Sequence, residues 1–183
     1  MYHIPNDKRA QRSAERIFMS LMECQKKAAV ADISVTDIAA GAGIGRSTFY
    51  RLFDNSVDIL IWKSEMIMTE ALRCASDRKS FDEIFLTFIS GWMEQKMLLQ
   101  ALLRASMTDI LFQVHINHID EIKAIFLKDV PQSAQQQEYL ATLLAAMMAT
   151  AFRLWDRQPD TKPEQMLLLF REALSSLEVI FNR

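Results

Sequence analysis

Three of the chain's four glycines stand at positions 41, 43 and 45, in the stretch GAGIGRSTFYRLF. A short apolar-periodic segment precedes them, with Ser34 placed to cap it, Asp37 three residues on, and Ile38, Ala39 and Ala42 on one side. Gly43 is placed to take the left-handed conformation that ends a helix and turns the chain, and Ile44 to pin that turn into a core. Gly45 then stands where the next helix begins, over about residues 46–52. A helix, a tight glycine-containing turn and a short second helix make a helix-turn-helix.

The flanking segments read as helices too. From residue 8 to 29 the apolar positions Ala14, Ile17, Phe18, Leu21, Met22, Ala28 and Ala29 form one stripe. Asn55 caps a long helix reaching about Arg78. Ser80 with Glu83 forms a capping box opening a helix to Met93. A further segment covers 97–103, and Ser106 with Asp109 opens another helix to about Leu127. Ser133 with Gln136 opens a long helix to about Asp156. Thr161 with Glu164, and Pro163 in the first turn, open the last, to about Phe181. The expectation is an all-α chain of about nine helices. Only four glycines and four prolines in 183 residues disfavour an all-β or disordered reading.

No apolar run reaches the roughly 18 residues a membrane span needs. The opening MYHIPNDKRAQR lacks the apolar core of a signal peptide. Cys24 and Cys74 are isolated, which suits reduced thiols in a cytoplasmic protein. Residues 1–63 carry nine Lys or Arg against seven acids, while the remainder is net acidic. Lys8, Arg9, Arg12 and Arg16 cluster near the first helix start, and Arg46 and Arg51 bracket the short helix after the glycines.

The stretch ISVTDIAAGAGIGRSTFYRLFDNSVDIL resembles the DNA-binding domain of tetracycline-repressor (TetR) family regulators. The matching parts are Ile38-Ala39, Ala42-Gly43-Ile44, Arg46, Thr48-Phe49-Tyr50 and Phe53, within a likeness covering roughly residues 8–65. Three positions depart from the family pattern: Gly45 replaces a capping Ser, Leu52 a His, and Ser56 a phosphate-contacting Lys. The resemblance implies a helix-turn-helix DNA-binding domain over residues 1–55 and a helical ligand-binding and dimerisation domain over 56–183. The implied partners are a double-stranded DNA operator, a second copy of the chain and a small-molecule effector.

A helix N-terminus in a major groove presents its first side chains to base edges, and Arg pairs bidentately with guanine. Candidate DNA-binding residues are Thr36, Arg46, Ser47, Thr48, Tyr50 and Arg51, with backbone contacts from Arg9, Arg12 and Arg16. Phe49 either packs inward or touches a thymine methyl, and core is the favoured role for it and Phe53. The body is rich in Met, Phe and Trp, and Phe88, Trp92, Met147 and Phe152 are candidate effector-pocket residues, with plain core as the alternative. The last two helices are apolar on more than one side. A four-helix dimer interface explains this, as does burial within one chain.

His115 and His118, with Asp120 and Glu121 nearby, could form a metal site only if the ligands converged, and His118 with Glu121 on one helix face is equally a solvated surface, so no metal or cofactor is expected. No catalytic constellation stands out, and the chain reads as a non-enzyme. The expected activity is a ligand-responsive regulator, a repressor released from its operator by a small apolar effector. The other reading is a helical dimer with a degenerate head that acts through a protein partner.

Overall fold

A computed structural model describes residues 1–104, 107–128, 130–131 and 133–181. Ser106, expected to open a helix, lies outside the described residues, as does the side chain of Phe181. The elements are α1 (Lys8–Cys24), a 3-10 turn (Val30–Asp32), α2 (Val35–Gly41), α3 (Arg46–Leu52), α4 (Ser56–Ser76) and α5 (Phe81–Met93). There follow α6 (Lys96–Arg104), α7 (Thr108–Asn117), α8 (Ile119–Phe126), α9 (Ala134–Arg157) and α10 (Pro163–Phe181). The architecture is all-α. Among the described residues the only extended pairing is an isolated antiparallel bridge between Tyr2 and Phe53.

The chain divides into two compact units. One comprises Met1–Met66 and Met97–Val114; the other comprises Ile67–Lys96 and His115–Arg183.

In the first unit Asp7 caps α1 by accepting from the Arg9 and Ala10 amides at 2.9 and 2.8 Å. The helix buries Ala10, Ala14, Ile17, Phe18, Leu21 and Met22. It stops at Cys24, five residues before the expected end, and Ala28 and Ala29 are exposed. The turn instead buries Val30, a larger apolar side chain with more to gain from leaving water. Phe49, Phe53 and Trp62 pack in sequence, the first pair tilted and the second edge-to-face, with ring centroids 6.1 and 5.8 Å apart. Lys63 pairs with Glu15 at 2.7 Å and lies over the Phe18 ring at 5.1 Å, tying α4 to α1.

The second unit is built on α5, which buries Ile84, Phe85, Phe88, Ile89 and Trp92. Its capping box is complete, with Glu83 N–H donating to Ser80 Oγ and Ser80 N–H to Glu83 Oε2, both at 3.3 Å. The Ser133–Gln136 box on α9 closes in the same way. On α10 the start lies one residue later than expected: Lys162 N–H donates to Gln165 Oε1 at 3.0 Å, in place of a Thr161–Glu164 box. Phe170 of α10 packs on Phe85 at 5.0 Å, and Arg171 pairs with Asp82. Lys123 of α8 bridges Asp120 and Glu138, at 2.6 and 2.7 Å, fastening α8 to α9.

Among the described residues there are ten helices, one more than expected, because the segment expected to run unbroken to Leu127 splits at His118, whose φ of −108° and ψ of 25° leave helical space. Asn117 and His118 are both weak helix formers, and Asp120 and Glu121 suit a new helix start.

Candidate nucleic-acid interface

Ser34 sets the start of α2: its Oγ accepts from Asp37 N–H at 3.1 Å and donates to Asp37 Oδ2 at 2.7 Å. The end is a Schellman motif. Ile44 N–H bonds Ala39 C=O and Gly43 N–H bonds Ala40 C=O, both at 3.0 Å, with Gly43 at φ +62°. The carbonyl of Gly43 also accepts from Arg16 of α1 at 3.4 Å.

Gly41 has a different reason. A Cβ there would lie 2.3 Å from Ser20 Oγ, the buried hydroxyl that donates to Ile38 C=O at 2.8 Å. The glycine lets α2 approach α1 closely enough for that bond. Gly45 caps α3 in ordinary extended geometry, φ −77° and ψ 152°, and supplies no side-chain acceptor.

Those constraints aim α3. Its inner side chains, Phe49 and Leu52, are fully buried, and so is Phe53 just beyond it. Each adds about 1.5–3 kcal/mol of burial, which holds the seven-residue helix to the unit. Arg46, Ser47, Tyr50 and Arg51 are exposed, and at 100° per residue they span about 140° of the circumference. Thr48 is half-buried at the edge of this face. Thr36 is exposed on α2. Among the described residues neither Arg46 nor Arg51 is in an ion pair, so neither cation is neutralised by the protein. Lys8, Arg9 and Arg12 are exposed at the start of α1. About 10 Å of helix with an outward cationic and hydroxylated face matches the width of a major groove, roughly 12 Å.

One contributor escaped the sequence reading. The extended segment 1–5 lies along the end of α3, with Tyr2 paired to Phe53 and His3 N–H donating to Leu52 C=O at 2.8 Å. Met1 places its ammonium 2.7 Å from both Asp54 and Asp58, and His3 Nε2 lies 3.2 Å from Asp54. The ammonium's hydrogen bond holds the Asp54 carboxyl below its ordinary range, with a smaller contribution from His3. The available signal was Pro5, which biases the residue before it toward extended backbone.

The candidate effector residues part company. Phe88, Trp92 and Phe152 are fully buried, with Trp92 packed on Phe152 at 5.7 Å and stacked on His115 at 5.9 Å. The void beside Phe88 measures only about 10 Å³. Met147 lines a separate groove of about 410 Å³ between α9 and α10. His115 is buried in the ring cluster, while His118 is half-buried and 3.5 Å from Glu121. Among the described residues no three His, Cys, Asp or Glu side chains gather as metal ligands, and no helix is long and apolar enough to cross a membrane.

Most of the chain matches solved structures in fold. The fold is that of the TetR-family transcriptional regulators. A TetR transcriptional regulator from Streptococcus agalactiae 2603V matches with a TM-score of 0.63 at 16% identity, over 87% of this chain and 92% of its own. The TetR-family repressor AlkX from Dietzia sp. strain DQ12-45-1b matches with a TM-score of 0.58 at 16% identity, over 90% and 94%. Lin0861 from Listeria innocua matches with a TM-score of 0.80 at 18% identity, over 96% of each chain. No family model matches the sequence, nor does any curated protein sequence. At these identities it is the TetR fold that the likeness establishes. In this chain α2, the Gly43 turn and α3 form a helix-turn-helix.

Proposed function

We propose that the protein is a dimeric DNA-binding transcriptional regulator of the cytoplasm, a repressor that a small apolar effector releases from its operator. The observation that carries this reading is the outer face of α3. Arg46, Ser47, Tyr50 and Arg51 are exposed, with both arginines unpaired among the described residues, while the same helix is anchored from behind by Phe49 and Leu52. Arg46 reads a base edge. Tyr50, Ser47, Thr48 and Thr36 hold phosphates and fix the register, and Arg51 with the α1 arginines supplies sequence-independent attraction.

Dimerisation is supported by the exposed apolar side chains of α9 and α10. Leu143, Leu154, Leu169, Leu177 and Ile180 all face solvent in the single chain, far more than scattered exposure explains. A second copy placed against them buries that surface and presents two α3 helices to two half-sites. An effector that favours one dimer geometry then shifts the population away from the one that fits the operator.

Fluorescence anisotropy with the gene's own upstream duplex, at about 100 mM salt, tests the reading against a scrambled duplex of equal length. Specific binding at least about a thousandfold tighter than to the scrambled duplex is expected. Equal binding to both refutes operator recognition and favours the head that acts through a protein partner. Loss of the protein should raise transcription of the gene it controls; a fall would make it an activator.

A further inference from the structure

We propose that the groove between the end of α1 and α6 is a binding site for a flat aromatic carboxylate. The groove has a volume of about 450 Å³, within the range of small-molecule sites. Every residue that lines it belongs to the first compact unit, and none belongs to α9 or α10, the face assigned to the second copy. α1 ends at Cys24, and the chain then crosses to the 3-10 turn through Ala28 and Ala29, whose small side chains line the groove. The ring cluster expected to hold an effector is closed by comparison, with only about 10 Å³ beside Phe88.

The lining has an apolar and a polar part. Met22, Val30 and Ala101 are buried, and Met97 of α6, 40% exposed, adds a second thioether. Thioethers adapt to irregular shapes and make favourable contacts with aromatic rings. The polar part is Gln25, Gln100, Lys26 and Lys27. Lys26 is already paired with Glu23 at 2.7 Å, whereas Lys27 is exposed and in no ion pair among the described residues. Gln25 Nε2 donates to Met22 Sδ at 3.1 Å and to Met97 C=O at 3.5 Å. The first acceptor is a weak one and the second lies at the outer limit of a hydrogen bond. The Gln100 side chain is half-buried and makes no hydrogen bond among the described residues. Two amides without a strong acceptor and an unpaired ammonium therefore border one apolar space. A guest carboxylate offers these donors a charged acceptor, while the ring it carries lies against the methionines. An ammonium guest offers none and meets the Lys27 charge.

The groove touches both the end of α1 and the loop that leads toward α2, and α1 holds α2 through the Ser20 bond to Ile38 C=O. A guest with unequal affinity for two arrangements of α1 and α2 shifts the population between them, and with it the aim of α3. This effector role rests on the regulator reading; the binding itself does not.

Titration calorimetry on the full chain with 2-naphthoate, 2-naphthylmethanol and 2-naphthylmethylammonium tests it. The three share a ring system and carry an anionic, a neutral and a cationic head. Naphthoate is expected to bind with a Kd of about 10–100 µM, the alcohol about tenfold more weakly, and the ammonium more weakly still. Lys27→Glu, at an exposed position, should weaken naphthoate about tenfold, leave the alcohol unchanged and make the ammonium the tighter of the two charged probes. Gln100→Trp removes an amide and fills the groove, and should abolish all three, with the thermal transition retained as a check of folding.

Absence of naphthoate binding to the wild type up to about 1 mM overturns the proposal. So does equal binding of the three probes, which leaves only a plain apolar surface. Binding that neither substitution changes puts the guest elsewhere and overturns it too. DNA anisotropy of the unliganded protein is read separately. Failure there, with the groove occupied as expected, refutes the regulator reading and leaves the site standing. Naphthoate that binds a DNA-competent protein and leaves its operator affinity unmoved refutes the effector role.

Discussion

Gly41 and Ser20 allow a test in which one substitution changes sign with its surroundings. Gly41→Ala at the last residue of α2 gains helix propensity, about 0.5–1 kcal/mol. Against this, the new Cβ would sit 2.3 Å from Ser20 Oγ, a distance no real pair adopts, so the hydroxyl must move. Moving it breaks the 2.8 Å bond to Ile38 C=O, worth about 0.5–1.5 kcal/mol. That carbonyl keeps the Ala42 N–H at 2.9 Å, so it is not orphaned and the full desolvation penalty does not apply. Overpacking between two tightly joined helices adds about 1–3 kcal/mol. The balance is a destabilisation centred on about 2 kcal/mol, or roughly 4–8 °C in Tm for a chain of this size.

In a Ser20→Ala background the hydroxyl is gone. The nearest remaining atom is the residue 20 Cβ at 3.4 Å, an ordinary contact. There Gly41→Ala should be neutral or stabilising by about 0.5 kcal/mol, a coupling of roughly 2 kcal/mol between the two sites. Urea unfolding of the four proteins, followed by far-ultraviolet circular dichroism, measures the cycle. Equal destabilisation by Gly41→Ala in both backgrounds refutes the close-approach account of this glycine.

Arg46→Ala should weaken operator binding by about 1–3 kcal/mol and relax preference at one base pair per half-site; unchanged strength and preference in an anisotropy series over single-base variants would remove Arg46 from the interface. Ser56 opens α4 beside the Asn55 cap, half-buried, where the family pattern carries a lysine. Ser56→Lys should steepen the slope of log affinity against log salt by about 1.8 per dimer, on specific and random duplexes alike, and an unmoved slope means that this end of α4 faces away from DNA. Leu143→Asp with Leu174→Asp should turn dimers into monomers in sedimentation while the helical spectrum persists, because an unpaired carboxylate cannot be buried across an interface. A wild type that sediments as a monomer at about 10 µM, with its exposed leucines in water, would reject that face as the dimer surface.

Much of this was legible in the sequence because it is local. Ser80 with Glu83 and Ser133 with Gln136 close over three residues, and the Gly43 turn closes through Gly43 N–H to Ala40 C=O and Ile44 N–H to Ala39 C=O. Such bonds form wherever the same residues follow one another, so the helix starts and the helix-turn-helix could be read directly. The split at His118 could not, because the apolar pattern runs on through it. Periodicity records which side is buried; it does not record where the backbone leaves helical space.

Tertiary structure decided the rest, because the contacts that matter join residues far apart in the chain. Ser20 explains Gly41 from 21 positions away, and the reach of Tyr2 to Phe53 has no periodic signature. The aromatic residues of the body looked alike in the sequence: Phe88, Trp92 and Phe152 as much as Met147. Packing separated them, closing the first three into a ring cluster with His115. It left Met147 on an open groove between α9 and α10.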